Sequence, residues 1–410
     1  MPKGSDILQS AAGETSVPKE TAIPQQRTLR LSRLPLALIS FAAVMASFSL
    51  PAHAQTPINS CGTTITASGS YLLAADLNCN PGAAIGASTG IAISASNVDL
   101  DLGGHTLGGR GPAFADVGVV VGETLNICAS PSGTRNVRVH DGSIANFPDA
   151  VLLCQASEAI VDHLSITGVQ KGVSLSSGTN DTVVQLNPNI DAQVYAIGIL
   201  AGSSNDTVFQ NIVTANTEAI LIQDGSTGNL ISNNTISTIG GSGIVVGSSS
   251  DGSEVDSGNN IQGNSVSVPP ENPLASLFAG ILLYTGATNA IVSNNQIGGP
   301  GTYGIVLTPC ASTIGAPPCK TGPTGLTIES NTVNFNTRGI SIFGSAGNHV
   351  DGNIAKKNTI KHPGLKARDV SDDNDGSKSK PCANFWHDND YRTKGDRAKC
   401  IEHSSKVSLN

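Results

Sequence analysis

Ala219-Ile220-Leu221-Ile222, Gly243-Ile244-Val245-Val246, Gly280-Ile281-Leu282-Leu283 and Gly304-Ile305-Val306-Leu307 repeat one word, a small residue followed by three aliphatic ones. Looser copies begin at Gly90, Gly118, Ala150, Gly172, Gly198 and Gly339, and successive copies lie 21 to 37 residues apart. Self-similarity at such a period marks a solenoid, in which each turn of chain buries a thin apolar slice against its neighbours. The short spacings suit one coil, and the long ones suit a coil carrying an inserted loop. A second element follows each word, as in Asn97-Val98-Asp99-Leu100, Asn136-Val137-Arg138-Val139 and Ala159-Ile160-Val161. Its alternation with a period of two reads as strand. No stretch after residue 55 keeps an apolar 3.6-residue period. The pattern predicts two short strands per coil, stacked in parallel without hairpins.

Asparagine punctuates the repeat. Asn211, Asn234, Asn264, Asn295, Asn331 and Asn353 each stand two residues before Val213, Ile236, Val266, Ile297, Val333 and Ala355. Asn tolerates the left-handed backbone of a tight turn, and stacked amides can bond to one another from coil to coil. A structural ladder is the expectation for these six.

Composition agrees with thin slices. Aromatic residues make up 4% of the chain, charged residues 13%, and there are 46 glycines. A compact globule of 410 residues would draw on aromatic bulk for its core. Arg27, Arg30 and Arg33 precede the apolar stretch Leu34 to Leu50 and the small-x-small site Ala52-His53-Ala54. That order predicts a polar leader and secretory signal over residues 1–54, cleaved near Ala54. No later stretch has the roughly 18–20 apolar residues a spanning helix needs, so a secreted or periplasmic bacterial protein is expected.

The eight cysteines all follow residue 54 and fall into close pairs, Cys61 with Cys79, Cys128 with Cys154, Cys310 with Cys319, and Cys382 with Cys400. No CxxC or CxH spacing suggests zinc, so disulfides are expected. Of the 23 Lys and Arg and 31 Asp and Glu, residues 1–54 hold five and three, and residues 356–410 hold twelve and eight. The remaining six and twenty give residues 55–355 a formal charge of −14. Such a surface repels polyanions and excludes nucleic acid as a partner class.

The run from Cys61-Gly62 through Gly69-Ser70-Tyr71-Leu72 to Cys79, then Leu100-Asp101-Leu102-Gly103-Gly104-His105-Thr106-Leu107, and finally Asn384-Phe385-Trp386-His387 onward to Cys400-Ile401, resembles right-handed parallel β-helix repeat proteins of the pectate-lyase-like superfamily. The likeness covers residues 61 to about 401. It implies an all-β, right-handed parallel β-helix solenoid of about ten coils with a disulfide-stapled C-terminal segment. It also implies that any activity lies on side chains pointing outward from one sheet. The hydrolase set of that superfamily (Asn-Thr-Asp, Asp-Asp, Gly-His-Gly and Arg-Ile-Lys) is absent. So is the epimerase motif Asp-Pro-His-Asp, and the few basic residues give no lyase set. No catalytic residue can be carried over.

Read from the residues alone, one constellation stands out. Aligning coils on the turn puts Leu102, Val139 and Val161 in one inward column. His140 then stacks over Asp162, Asp141 over His163, and Asp101 lies beside Arg138, with Lys171 nearby. Imidazoles beside carboxylates suit general acid–base work or a divalent metal of unassigned identity, and equally an ion-pair ladder between strands. Asp101, Arg138, His140, Asp141, Asp162 and His163 are therefore the candidate catalytic residues. His105 reads as a buried turn histidine bonded to backbone. Tyr195, Tyr284 and Tyr303 read either as a sugar-stacking platform or as turn closures. The stretch Lys356 to Lys380 reads as a charged surface loop. Its acidic run Ser371-Asp372-Asp373-Asn374-Asp375-Gly376 makes calcium the one candidate cofactor, although Cys382 stands where a calcium loop needs Glu. Trp386 and the Cys382–Cys400 staple are expected to seal the last coil.

The expected organisation is thus a leader (1–54), a parallel β-helix (55–355) and a charged loop with a closing segment (356–410). A monomer that binds or processes a polysaccharide or cell-surface glycan is the leading functional expectation. The glycan would be neutral, or acidic and bridged by calcium. The alternative is a non-catalytic adhesion or structural module.

Overall fold

The computed structural model describes residues 55–79, 89–122, 128, 133–247, 254–269, 278–309, 322–361, 365–372, 382–395 and 400–401. The expected leader, the Cys310–Cys319 pair and residues 373–376 of the acidic run lie outside them.

Between the two end coils, each coil carries three strands, not two. In one coil these are Leu230–Ser232, Thr235–Thr238 and Ser242–Val246. The third is the small-aliphatic word and the first is the alternating segment. The second buries a single large apolar side chain, Ile236, which is why it read as turn. Each strand pairs in parallel with its counterpart one coil away, for example Ile231 with Ile261, Ile236 with Val266, and Ile244 with Ile281. Three stacked faces result. The first runs from Thr56–Ile58 to Phe385–His387, the second from Leu77–Asn78 to Asp390–Tyr391, and the third from Thr63–Ile65 to Arg368–Asp372.

Inward side chains form dry columns. Val184, Val208, Ile231, Ile261, Val292, Ile328 and Val350 follow one another down the first face with no exposed area. Each contributes about 1.5–3 kcal/mol of burial, so stability accumulates rung by rung rather than in one central core. Trp386 ends this column, buried, with Nε1 donating to Asp372 Oδ2 at 3.0 Å.

The solenoid is longer than the word count suggests, because terminal rungs lack the word. Thr63–Ile65 opens the third face, and Arg368–Asp372 extends it within the stretch expected to be a surface loop. Val370 and Asp372 are buried there, so the coils continue past residue 356 and Asp372 is unavailable to a calcium loop.

The asparagine ladder is present and longer, from Asn187 to Asn389. Asn234 is typical. Its backbone N and Nδ2 both donate to Asn264 Oδ1 at 3.0 Å, and Nδ2 also donates to Val208 O at 2.9 Å. The left-handed residue is the one before each asparagine, such as Gln210, Asn233, Asn294 and Ser330, with φ from 53° to 55°. The ladder residue is therefore retained for its amide, which satisfies buried backbone at the corner between the first and second faces. Cys61–Cys79, Cys128–Cys154 and Cys382–Cys400 are bonded, with Cα–Cα separations of 5.5, 5.2 and 5.7 Å.

Candidate functional site

The outward side of the first face carries two side-chain columns. Near its N-terminal end, register places Asp99 beside Arg138 and Arg138 beside Ile160 in one column. The other column runs Asp101, His140, Asp162. The stacking of His140 on Asp162 is as the sequence suggested, but the partner of Arg138 is Asp99, and Asp101 lies beside His140. The inward column is correspondingly Leu100, Val139 and Val161. The slip of two residues arises at the corner. Four residues, Leu102 to His105, separate the paired strands in one coil, whereas only Asp141 and Gly142 do so in the next. Aligning on the turn therefore misplaced the strand before it.

Asp141 and His163 lie within the continuous strands Val137–Ala145 and Ile160–Ser176 but are not a register pair of the ladder. Both occupy the left-handed corner position, with φ of 55° and 54°. Gln210, Leu186 and Ser330 hold the same conformation at this corner in other coils, so the solenoid imposes it. The corner turns each side chain back toward the strand residue before it. His140 Nδ1 lies 2.8 Å from Asp141 Oδ2, and His163 Nδ1 lies 3.0 Å from Asp162 Oδ2.

Two sub-sites follow. His140 is buried, and its Nε2 sits 3.0 Å from Asp99 Oδ1. Carboxylates thus stand at both ring nitrogens, Asp141 at Nδ1 and Asp99 at Nε2. Asp162 is also buried and receives a bidentate pair from Arg138, Nε to Oδ1 at 3.0 Å and Nη2 to Oδ2 at 2.7 Å. Burial pushes the Asp162 carboxyl up, but the hydrogen bonds from Arg138 and His163 outweigh it and hold the carboxyl below its ordinary value. His163 itself is 48% exposed. The Asp162 carboxylate at Nδ1 orients this half-exposed ring.

A groove of about 620 Å³ runs beside the cluster, lined by Tyr71, Asp99, Arg138, Glu158 and Ile160 among others. Asp99 and Arg138 belong to both. Asp101, His140 and Asp141 offer ligand atoms within 4.8 Å of one another. Sequence reading missed Asp99 and Glu158. The alternation Val98-Asp99-Leu100-Asp101 already places Asp99 outward, and only the register slip hid it.

The remaining candidates lie elsewhere. Lys171 is on the third face, 3.6 Å from Asp149. His105 is not buried, and its Nδ1 faces Asp76 Oδ1 at 3.3 Å. Tyr195, Tyr284 and Tyr303 are all buried against the outside of the third face, so they form no exposed stacking platform.

A family model described as right handed beta helix region matches residues 218–375. A second, described as periplasmic copper-binding protein (NosD), matches residues 119–271. Against the curated proteins the sequence finds no match. Among solved structures, the A-module of a mannuronan C-5 epimerase from Azotobacter vinelandii is similar at 12% identity and TM-score 0.40, over 74% of this chain and 83% of that one. A DFA-IIIase from Arthrobacter chlorophenolicus A6 is similar at 11% identity and TM-score 0.43, over 73% and 87%. The surface adhesin PfbA of Streptococcus pneumoniae is similar at 11% and 0.35, over 70% and 81%. No helix among the described residues is long and apolar enough to cross a membrane.

Proposed function

We propose that this right-handed parallel β-helix protein is exported and cleaves an extended glycan on its first outer face, with His163 as the acid–base residue. The observation that carries the reading is the buried Asp162, fixed by Arg138, holding the half-exposed His163 by Nδ1. A carboxylate that orients an imidazole and steadies its charged form is the arrangement that makes histidine an effective proton carrier. The groove at the other end of the same strands, which shares Arg138 with this unit, supplies length for a chain of sugars. Asp99 and Glu158 in its lining, against Arg138, favour a neutral glycan or an acidic one bridged by calcium.

The copper named for the second family model does not fit this cluster as a soft-metal site. The two methionines are Met1 and Met45, the described cysteines are all in disulfides, and the single imidazole of the three-residue group has carboxylates at both nitrogens. No step is assigned to a metal.

Incubation with a panel of neutral and acidic polysaccharides, read for reducing and unsaturated ends, tests the reading. Product formation should fall by about 10²-fold or more in His163→Ala, with an unchanged melting temperature. Full activity in an Asp162→Ala/His163→Ala double variant would discard the site. A second reading, a non-catalytic surface or adhesion module, is favoured by the pairing of His140 with Asp99 and Asp141 and of Arg138 with Asp162, which occupies these polar groups within the protein. It expects no product from any polysaccharide, together with retained binding to cells or matrix.

A further inference from the structure

One outward column of the third face is buried and apolar along most of its length. Val120 and Leu152 lie at one end of it and Leu221, Val245, Leu282 and Val306 toward the other, none more than 9% exposed. In between, the layer turns polar. Register places Asp149 beside Lys171 and Lys171 beside Tyr195, and Ser174 stands between Leu152 and Gly198 in the neighbouring column. These side chains surround a pocket of about 210 Å³ whose remaining wall includes Leu152, Leu200 and Cys128 of the Cys128–Cys154 disulfide.

The pocket is built, not left over. Tyr195 folds along its own strand over Gly198, where any Cβ would come within 2.7 Å of the ring. That pose brings the phenol oxygen 3.1 Å from Ser174 Oγ. Burial raises the phenol well above its ordinary range, so the hydroxyl remains a proton donor. Asp149 Oδ1 is buried with no hydrogen-bond partner, and its nearest cation, Lys171 Nζ, sits at 3.6 Å. Burial also raises the Asp149 carboxyl against the pull of Lys171. A half-buried charge pair with an acceptor oxygen unsatisfied costs stability that the preceding rung avoids by carrying Val117 in the same column.

We propose that Asp149, Lys171, Ser174 and Tyr195 form a subsite for a single neutral sugar ring on the third face, separate from the histidine cluster. The volume is that of one pyranose unit. A carboxylate that accepts from vicinal hydroxyls, an ammonium and two hydroxyls that answer them, and an aliphatic edge for the ring's C–H face make up the contact set such a ring requires. The subsite does not depend on the assignment of His163.

Saturation-transfer NMR and calorimetry with the methyl glycosides of glucose, galactose, mannose and xylose, on the full chain, test this. At least one should bind with a roughly millimolar Kd. Asp149→Asn and Lys171→Ala should each weaken it about tenfold or more, and Leu152→Trp should abolish it by filling the pocket. The melting temperature of each variant shows that it is folded. His163→Ala should bind as the wild type does. The proposal is overturned if none of the four glycosides binds, if folded Asp149→Asn and Lys171→Ala bind unchanged, or if His163→Ala is the variant that loses binding.

Discussion

The first and third faces are made from the same parallel strands, yet their outer surfaces obey opposite rules. On the first face most outward residues are at least partly open to water, and opposite charges gather around the buried His140 and Asp162 into a network in which Asp99, Arg138, His140, Asp162 and His163 are paired. On the third face one outward column, from Val120 and Leu152 to Leu221, Val245, Leu282 and Val306, is nearly as buried as the inward residues, and the polar group at Asp149 beside it is left partly unsatisfied. The difference shows that alternation along a β-helix strand does not by itself divide core from solvent. What lies over the sheet decides it.

The sharpest way to break that comparison is to place a charge on each surface. Val306→Asp, at a position with no exposed area, should cost about 3 kcal/mol or more. Thr327→Asp on the first face should stay within about 0.5 kcal/mol of the wild type. Urea midpoints of the two variants measure the gap, and equal shifts would show the third face to be uncovered.

The corner joining the first face to the second should be nearly as sensitive. Asn264→Ala removes the acceptor for Asn234 N and Nδ2 and the donor to Ile231 O and Asn295 Oδ1. With each buried orphan costing about 1–3 kcal/mol and some relaxation, a loss of about 3 kcal/mol is expected in the same urea assay. Gln262→Ala, two residues earlier on the open surface, should change little.

Asp162→Asn separates function from stability on the first face. It weakens the bidentate bond to Arg138 and the orientation of His163, so kcat/KM on the glycan identified by the panel should fall by about 10²-fold. Thermal unfolding should move only a few degrees.

The smallest effect concerns pH. Asp206 and Asp256 are buried at the corner that feeds the first face, and burial pushes their carboxyls up to about 6 and about 7. A folded value above the unfolded one gives stability that is full below about pH 4 and lost as pH rises through the folded values. Thermal unfolding measured from pH 5 to pH 8 should therefore show a falling melting temperature. An Asp206→Asn/Asp256→Asn variant should flatten most of that slope. Asp149 and Glu218, raised by burial on the third face, act in the same direction and account for a remainder.

The histidine–carboxylate cluster was legible only in part. His140 and Asp162 could be matched because both sit in alternating strands with the same inward valine, Val139 and Val161. Asp101 was misplaced because a glycine-rich corner of different length intervened, and Asp99 was overlooked for the same reason. The third-face pocket was not legible at all. Lys171-Gly172-Val173-Ser174 reads as one more repeat word, and nothing in a linear chain says that residues 22 and 24 positions away stand above and below it.

What the sequence determined alone was the rung: a small residue, three aliphatic ones, an alternating strand and an asparagine, repeated until a parallel stack was the one arrangement that buried them all. That information is local, because each rung carries its own apolar slice and its own corner amide. The tertiary structure alone decided the third strand of each coil, the register between coils with unequal corners, and which outward surface is covered. Those depend on how one coil settles on the next, and the spacing between neighbouring coils is set by every insertion that lies between them.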